Sequence, residues 1–235
     1  MIDLLLPHTC GMCGRHIQSR NGERAEICDE CIKALPRTEQ ATLKQNSTEM
    51  TVLDQPAQIV RAAKTAHLQR AGAFLFYEKQ HPVQRLIHLM KYADRPEIGR
   101  TLGRLAAQEW RDSDFFDEID IIIPIPLHPR RLRERGYNQS EFIARGIGEV
   151  LGIEVDTTHV FRIRNTPKQA LQSGDSRKQN VADAFAVLHP EQMYHKHILL
   201  VDDLITTGET MRACLNAMKA FRGATFTVFT LCKAL

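Results

Sequence analysis

Residues 198–210 read Ile-Leu-Leu-Val-Asp-Asp-Leu-Ile-Thr-Thr-Gly-Glu-Thr, and this stretch decides the fold. The short apolar run at residues 198–201 predicts a central strand of a parallel sheet that helices cover on both faces. A helical apolar pattern resumes at residues 211–221. The order is therefore strand, loop and helix, which predicts an α/β fold.

Two adjacent carboxylates stand where this strand is predicted to end. Asp202 and Asp203 cannot both point into an apolar core, because an unpaired buried carboxylate is very costly and neighbouring strand residues face opposite sides of a sheet. At least one of them is therefore expected to face a cleft. Carboxylates accept hydrogen bonds from vicinal hydroxyls and hold Mg²⁺ through water, so the pair suits a sugar.

The loop after the carboxylates is rich in hydroxyl groups. It consists of Thr206, Thr207, Gly208, Glu209 and Thr210. The glycine lets the backbone turn tightly against a ligand, and the free N–H groups at the start of the next helix attract an anion. The loop therefore predicts a phosphate site. The alternative is a turn that only caps the helix, with Thr207 as N-cap, but a cap needs one such residue and not the whole series.

This element resembles the 5-phosphoribosyl 1-diphosphate loop of the type I phosphoribosyltransferases. In that family an apolar strand, two acidic residues and two variable positions precede Thr-Thr-Gly-x-Thr, and every position of the pattern is present at residues 198–210. The resemblance implies that Asp202 and Asp203 are the catalytic residues and face the ribose hydroxyls. It also implies that residues 206–210 wrap the 5-phosphate and that Mg²⁺ binds together with the diphosphate.

A second apolar stretch, residues 119–125, contains three isoleucines in a row and runs into Pro-Ile-Pro at residues 124–126. It predicts another buried parallel strand, followed by a stiff loop. Between His128 and Arg135 this loop carries four arginines and one acidic residue. Guanidinium groups bind phosphate in bidentate fashion, so the loop is predicted to supply the counter-charge for a pyrophosphate. The alternative is a solvated helix start with exposed arginines.

Residues 124–140, Pro-Ile-Pro-Leu-His-Pro-Arg-Arg-Leu-Arg-Glu-Arg-Gly-Tyr-Asn-Gln-Ser, resemble the corresponding loop of the ComF family, the competence and DNA-utilisation proteins of bacteria. A third segment, residues 164–185, agrees with that family and would form a mobile flap around residues 173–176. The resemblance implies the following contacts to phosphoribosyl diphosphate, besides residues 206–210: Lys91, Ile125, Pro126, Leu127, His128, Arg130, Arg131, Arg135, Arg164 and Gln169.

Two Cys-x₂-Cys pairs lie near the amino terminus, Cys10 with Cys13 and Cys28 with Cys31, and fourteen residues separate the pairs. This spacing is typical of a zinc ribbon, in which four thiolates surround one Zn²⁺. A segment this small buries little apolar surface, so a structural zinc ion would supply its folding free energy. A pair of disulfides or a duplicated redox motif are the alternatives.

The chain is predicted to divide into a zinc ribbon at residues 1–35, a linker and helix at 36–70, and a phosphoribosyltransferase-like domain at 71–235. Residues 59–68 have helical potential and residues 73–77 read as a strand. Helices are expected over residues 82–92 and 98–110. Lys91 ends the first of these beside a loop that would border the cleft, although a lysine in such a place is usually a surface residue.

The composition is that of an ordinary globular protein. The 235 residues include 43% hydrophobic and 25% charged residues, with a net charge of +3. These values exclude a disordered or fibrous chain, and the mild charge does not by itself indicate nucleic acid. No run approaches the ~18 apolar residues of a membrane span. We expect a cytoplasmic location. Partner proteins would hold the chain at the inner face of the membrane.

Two functional hypotheses follow from the resemblance. The first is a phosphoribosyltransferase that acts on an unknown base or nucleotide in DNA uptake or utilisation. The second is a non-catalytic protein that senses phosphoribosyl diphosphate or grips single-stranded DNA, beside uptake proteins such as a helicase or a membrane channel. In such enzymes a separate hood domain binds the nucleobase. Here the helices of residues 82–110 and the cysteine module stand in its place, so the sequence contains no recognisable binding site for an acceptor.

Overall fold

A computed structural model describes residues 9–17, 25–38, 67–164 and 184–234. The helices in these ranges are α1 (Asp29–Lys33), α2 (Val83–Tyr92), α3 (Glu97–Trp110), α4 (Pro129–Arg135), α5 (Gln139–Leu151) and α6 (Glu209–Ala217). The strands are β1 (Leu68–Tyr77), β2 (Ile121–Pro124), β3 (Val160–Arg162), β4 (Phe185–Val187), β5 (His197–Ile205) and β6 (Thr225–Ala234). None of the helices described is long and apolar enough to cross a bilayer.

Four strands form a parallel sheet in the order β1-β6-β5-β2. The register places Pro124 of β2 beside Val201 of β5, and the Ile125 N–H donates to the Val201 carbonyl oxygen at 2.8 Å. Strand β2 therefore ends beside Val201, which brings the loop after β2 next to Asp202. Strand β5 continues to Ile205, so the prediction that it ends at Asp202 and Asp203 is wrong. The α/β fold and the parallel sheet are confirmed. Strands β3 and β4 pair antiparallel as a separate two-stranded sheet.

Helices cover the sheet on both faces, as the apolar strands predict. Ile121 and Ile123 join a buried cluster with Leu200 of β5 and with α6. Ile122 joins the opposite cluster with Ile143 of α5 and with α2 and α3. Because successive side chains of a strand alternate between faces, a run of isoleucines is buried on both sides only in such a sandwich.

Residues after the cysteine module extend the sheet at its other edge. The Thr38 N–H donates to the Phe74 carbonyl oxygen at 3.0 Å, and the Phe76 N–H donates to the Pro36 carbonyl oxygen at 2.8 Å. Arg37, between these two bonds, pairs with Glu109 of α3, with Nε 2.7 Å from Oε2. The first residues of the predicted linker are thus fixed to β1.

Three further element predictions are wrong in part. Strand β1 begins at Leu68, which was expected to end a helix, while residues 59–66 of that helix lie outside the described residues. The basic segment is not an extended loop, because its arginines lie on helix α4. Helix α6 begins at Glu209 and ends at Ala217, and a 3₁₀ turn, Met218–Ala220, completes the predicted span.

Helices α3 and α5 approach closely because each has a glycine where they cross. A Cβ on Gly146 would overlap the carbonyl oxygen of Arg100, and one on Gly103 would overlap that of Ile143. The backbones can therefore touch only because both positions lack a side chain. Helix α5 carries at its start the residues that hold the end of β2, so this crossing also positions the site.

We expect Gly146→Ala to lower the free energy of unfolding by about 2–3 kcal/mol, because the added methyl group forces two helix backbones apart. Chemical denaturation would measure the change. Arg145→Ala on the neighbouring, half-exposed position of α5 is the control, and we expect it to cost about 0.5 kcal/mol or less. Equal denaturation midpoints for the two variants would contradict the conclusion that α3 and α5 can cross closely only because Gly146 lacks a side chain.

Candidate functional site

A buried ion pair joins Lys91 of α2 to Asp203 of β5. The Lys91 Nζ lies 3.0 Å from Oδ1 and 2.9 Å from Oδ2 of Asp203, and the side chains are 10% and 6% exposed. Asp203 is therefore the inward-facing member of the acidic pair, and its charge is matched inside the protein. Removing one partner of such a pair typically costs about 3–5 kcal/mol, because the other charge stays buried alone.

Asp202 is in a different environment, although it is the next residue. It is only partly buried, and its Oδ1 accepts hydrogen bonds from Ser140 Oγ at 3.0 Å and from the Asp203 N–H at 2.8 Å. Burial and the neighbouring Asp203 charge raise the pKa of Asp202 to about 7. This carboxyl thus holds a proton in a large fraction of molecules at neutral pH.

The loop after β5 has the shape expected of an anion site. Thr206 and Thr207 are exposed, and Gly208 has a φ of 71°, in the left-handed region that favours glycine. Gly208 is the N-cap of α6, and no side chain caps this helix. The alternative in which Thr207 caps the helix is therefore wrong. The N–H groups of the first turn of α6, beginning at Glu209, face the end of this loop.

Residues 125–128 follow β2 and lie against the end of β5. Asn138, the N-cap of α5, donates from Nδ2 to the Ile125 carbonyl oxygen at 3.0 Å and accepts the Ser140 N–H at 3.2 Å. His128 is the N-cap of α4, because its Nδ1 accepts the Arg130 N–H at 3.2 Å. Pro126 and Leu127 between them are partly buried. The capped ends of α4 and α5 thus fix the course of this loop.

The four arginines of α4 divide into two sets. Arg130 pairs with Glu134 one turn away, at 2.9 Å, and their side chains are 68% and 60% exposed. Arg131 and Arg135 line a cavity of about 500 Å³ whose other lining residues are Lys91, Tyr92, Asp94, Glu134 and Tyr137. Three of the predicted diphosphate-binding cations therefore share one cavity, and Arg130 does not line it.

The cavity wall is held by specific contacts. The Arg135 guanidinium carbon lies 5.2 Å from the centre of the Tyr92 ring, within the range of a cation–π interaction. The Tyr137 hydroxyl donates to the Met90 carbonyl oxygen at 2.7 Å, which links the segment after α4 to α2. The Lys91 side chain belongs to both this cavity and the Asp203 pair. Lys91 therefore links the cavity to Asp203, although neither Asp202 nor Asp203 lines the cavity.

Ser140 and Arg162 are two site residues that the sequence did not single out. Ser140 is the last residue of the quoted basic motif, and its position just after the helix cap is the signal that places it near the end of β2. Arg162 lies on β3, and burial and the charge of Arg131 lower its pKa while Asp202 raises it. Arg164, two residues on, is exposed, whereas Gln169 and the predicted flap at residues 173–176 lie outside the described residues.

The four amino-terminal cysteines come together in one cluster. Their sulfur atoms all lie within 4.8 Å of one another, and the sulfur atoms of Cys13 and Cys28 are 3.8 Å apart. Ligands at about 2.3 Å from a tetrahedral zinc ion are ~3.8 Å apart, so the set fits one such ion. None of the four forms a disulfide. The disulfide alternative is therefore wrong.

Backbone donors favour the thiolate form of Cys10, one of the four cysteines, whereas burial raises the pKa of Cys28 and of Cys31. Burial alone would raise the pKa of the Cys10 thiol, but hydrogen bonds from the Cys13, Cys28 and Met12 backbone lower it to about 6. The Cys28 N–H lies 3.4 Å from Cys10 Sγ. Thiolates are the form that binds metal, so these N–H groups favour the ligand state.

The fold and this arrangement of groups define a class of protein. Residues 88–235, more than half of the chain, match the family described as phosphoribosyl transferase domain. The chain thus contains a type I phosphoribosyltransferase domain, with a parallel sheet flanked by helices.

Curated relatives define the family within this class. "DNA utilization protein YhgH" of Salmonella typhimurium is 34% identical over 157 residues, which are 66% of this chain and 68% of that protein. "Competence protein F" of Haemophilus influenzae is 30% identical over 157 residues, or 65% of this chain and 69% of that protein. The chain belongs to the ComF family.

Similar solved structures include two phosphoribosyl enzymes. The glutamine phosphoribosylpyrophosphate amidotransferase of B. subtilis is 20% identical, with a TM-score of 0.40 over 60% of this chain and 30% of that chain. The adenine phosphoribosyltransferase of Leishmania tarentolae is 13% identical, with a TM-score of 0.37 over 62% of this chain and 74% of that chain. This chain therefore spans less than a third of the amidotransferase.

We expect Asp202→Asn to stabilise the protein by about 2 kcal/mol more at pH 8 than at pH 5. A raised pKa in the folded state means that native Asp202 binds a proton that the unfolded chain has released, so the wild type loses stability as the pH rises from ~4 to ~7. Asparagine keeps the Oδ1 acceptor and removes the charge.

The measurement is chemical denaturation of both proteins at pH 5 and pH 8. Asp112→Asn, at an exposed position after α3, is the control and should change neither value. A difference between wild type and Asp202→Asn that is the same at both pH values would contradict the protonation of Asp202.

Proposed function

We propose that the chain binds 5-phosphoribosyl 1-diphosphate with Mg²⁺ and transfers its phosphoribosyl group to an acceptor in DNA uptake or utilisation. One observation carries this proposal. The acidic pair lies near the end of β5, separated by two residues from the threonine and glycine loop that leads to α6, while Arg131 and Arg135 share a cavity with Lys91, the partner of Asp203. Groups for a ribose, a phosphate and a diphosphate thus occur together at one edge of the sheet.

Each group has a role that follows from its surroundings. Asp202, which is only partly buried, would accept the ribose hydroxyls, and Asp203 would hold Lys91 in place. Thr206 and Thr207, with the N–H groups at the start of α6, would bind the 5-phosphate. Arg131 and Arg135 would face the diphosphate. When bound, Mg²⁺ would neutralise part of the diphosphate charge.

The proposed reaction is a substitution at the anomeric carbon. The bond from that carbon to the diphosphate oxygen breaks, and its electron pair leaves with the diphosphate. A nitrogen of the acceptor supplies the new bond and releases its proton. Positive charge develops on the ribose and negative charge on the leaving group, so preorganised carboxylates and guanidinium groups stabilise the two ends of the transition state.

We also propose that the cysteine cluster holds one structural Zn²⁺. The close approach of all four sulfur atoms supports this assignment, and the set offers four protein ligands, which is typical of a closed structural site and not of a catalytic one. Two of the four ligands, Cys10 and Cys31, are buried. The metal would therefore replace the apolar core that so small a module lacks.

Binding of single-stranded DNA is a second candidate function, and the exposure of α4 favours it. This helix has no buried residue, and Arg130 and Arg133 lie on it outside the cavity. Exposed arginines on one short helix suit the phosphates of a nucleic acid. The relatives' names, which refer to DNA utilisation and competence, agree with a partner of this kind. A helicase or a membrane channel of the uptake machinery would then be the protein partner.

We expect calorimetric titration of phosphoribosyl diphosphate with Mg²⁺ to show micromolar binding by the wild type and at least a tenfold loss of affinity in Thr207→Val. The substitution keeps the side-chain shape and removes a hydroxyl donor to a charged phosphate, which is worth about 1.5–3 kcal/mol. Thr157→Val, at an exposed threonine before β3, is the matched control and should bind as the wild type does.

Absence of binding by folded wild type would contradict the proposal. Single-stranded DNA would then be tested by the salt dependence of its binding, comparing wild type with Arg130→Ala/Arg133→Ala, since each lost phosphate contact lowers the salt slope. If phosphoribosyl diphosphate binds, release of diphosphate in the presence of candidate bases tests the transfer step itself.

We expect the purified protein to contain one zinc ion per chain and Cys13→Ser to contain much less. Cys13 is the exposed member of the cluster, so serine removes a ligand and disturbs little packing. Elemental analysis measures the metal. Cys214→Ser, at a buried cysteine outside the cluster, should keep its zinc. Equal zinc content in the two variants would contradict the assignment of the four ligands.

A further inference from the structure

The cysteine module contacts the corner between α2 and α3 through a buried ion pair. Arg95, in this corner, donates from Nε to Glu26 Oε2 at 2.9 Å, and its Nη2 donates to the Thr9 carbonyl oxygen at 3.1 Å. The Arg95 and Glu26 side chains are 20% and 9% exposed. Thr9 and Glu26 stand just before the two halves of the cluster, so one arginine fixes both halves to the same corner.

A second contact holds the helices on either side of that corner. A Cβ on Gly11 would lie 3.0 Å from Leu86 Cδ2 and 3.1 Å from Ile98 Cδ1, so the first cysteine turn packs directly on α2 and α3. The Gly11 N–H donates to the Glu26 carbonyl oxygen at 2.9 Å, which joins this turn to the residue that binds Arg95. Cys10 and Cys31 belong to the same buried apolar cluster.

Lys91 lies between these contacts. It follows Leu86 by five residues and precedes Arg95 by four, and its Nζ must cross to Asp203 at the end of β5. The backbone between Lys91 and Arg95 includes Asp94 with a φ of 52°, in the left-handed region. The cysteine module therefore contacts the chain at Leu86, before Lys91, and at Arg95, after it, while none of the residues that line the cavity belongs to that module.

We propose that the cysteine module is a positioning element for the phosphoribosyl site, acting through Arg95 and Glu26 to hold Lys91 at Asp203. Metal binding and ligand binding are then coupled, although the two sites share no residue. The effect on phosphoribosyl diphosphate rests on the proposed function, whereas the effect on the Lys91–Asp203 pair does not. By thermodynamic linkage the coupling acts in both directions, so bound ligand must also strengthen metal retention.

The first experiment compares two variants that each break one ion pair between the module region and the domain. Glu26→Gln removes the charge that Arg95 binds. Glu109→Gln removes the partner of Arg37 near the opposite end of α3, about 18 Å along the helix from its first residue, Glu97. Each variant therefore loses one arginine–glutamate pair, the first more buried than the second, and only the first pair involves Arg95, four residues after Lys91.

We expect Glu26→Gln to weaken binding of phosphoribosyl diphosphate with Mg²⁺ at least fivefold, with circular dichroism showing the folded state. Glu109→Gln should stay within twofold of the wild type. We also expect saturating ligand to slow zinc transfer from the wild type to a chelator, and to slow it less in Glu26→Gln. Equal affinities in the two variants, or zinc transfer that ignores the ligand, would overturn the proposal.

The second experiment needs no ligand, so it decides the proposal even where the proposed function fails. Lys91→Met is made in the wild type, in Glu26→Gln and in Glu109→Gln, and the denaturation midpoint is measured for each. We expect the shift caused by Lys91→Met to fall by at least half in the Glu26→Gln background and to stay the same in the other. Equal shifts in all three backgrounds would show that the module does not position Lys91. Lys91→Arg replaces Lys91→Met if the methionine variant does not fold.

Discussion

A carboxylate inside a sheet must meet a positive charge, and Asp203 meets Lys91 from a helix 112 residues earlier in the chain. The rest of the site depends on this contact. Because the Lys91 side chain has to reach Asp203, α2 must end near the carboxyl-terminal part of β5. The cavity forms between the end of α2 and the basic helix α4. The cost of burying two charges is offset only when the geometry is good, as it is where Nζ lies about equally far from both oxygens.

The same contact explains why two neighbouring aspartates differ. Asp203 is paired with Lys91, so its negative charge is balanced inside the protein. Asp202 has Ser140 and a backbone N–H, which are neutral donors, and it stands beside a negative charge. Burial, together with this negative charge, raises the pKa of Asp202 to about 7. The dipeptide thus combines a structural anchor with a group whose proton is released easily when a cation or a ligand approaches.

Local patterns in the sequence predicted the strand, the glycine loop and the cysteine cluster, because each depends on residues close together in the chain. The pairing of Lys91 with Asp203 could not be predicted, since it depends on how α2 crosses the sheet. The sequence contains two residues that are typical of helix ends, Pro129 in the first turn of α4 and Gly136 after its last residue. The prolines before the helix and its many arginines also suit a basic loop, which is why a loop was predicted there. The glycine crossing of α3 and α5 depends on three-dimensional packing that spacing alone does not reveal.

Helix α4 shows how one short element presents charge in two directions. Arg131 and Arg135 are four residues apart and share a side, whereas Arg130 and Arg133 occupy other angles around the axis. Each residue turns an α-helix by ~100°, so the phase of the helix, and not the number of arginines, decides which of them face the cavity. His128 sets that phase where the helix begins. Adding or removing one residue in the loop before α4 would therefore turn a different set of charged side chains toward the cavity, even though the rest of the sequence stayed the same.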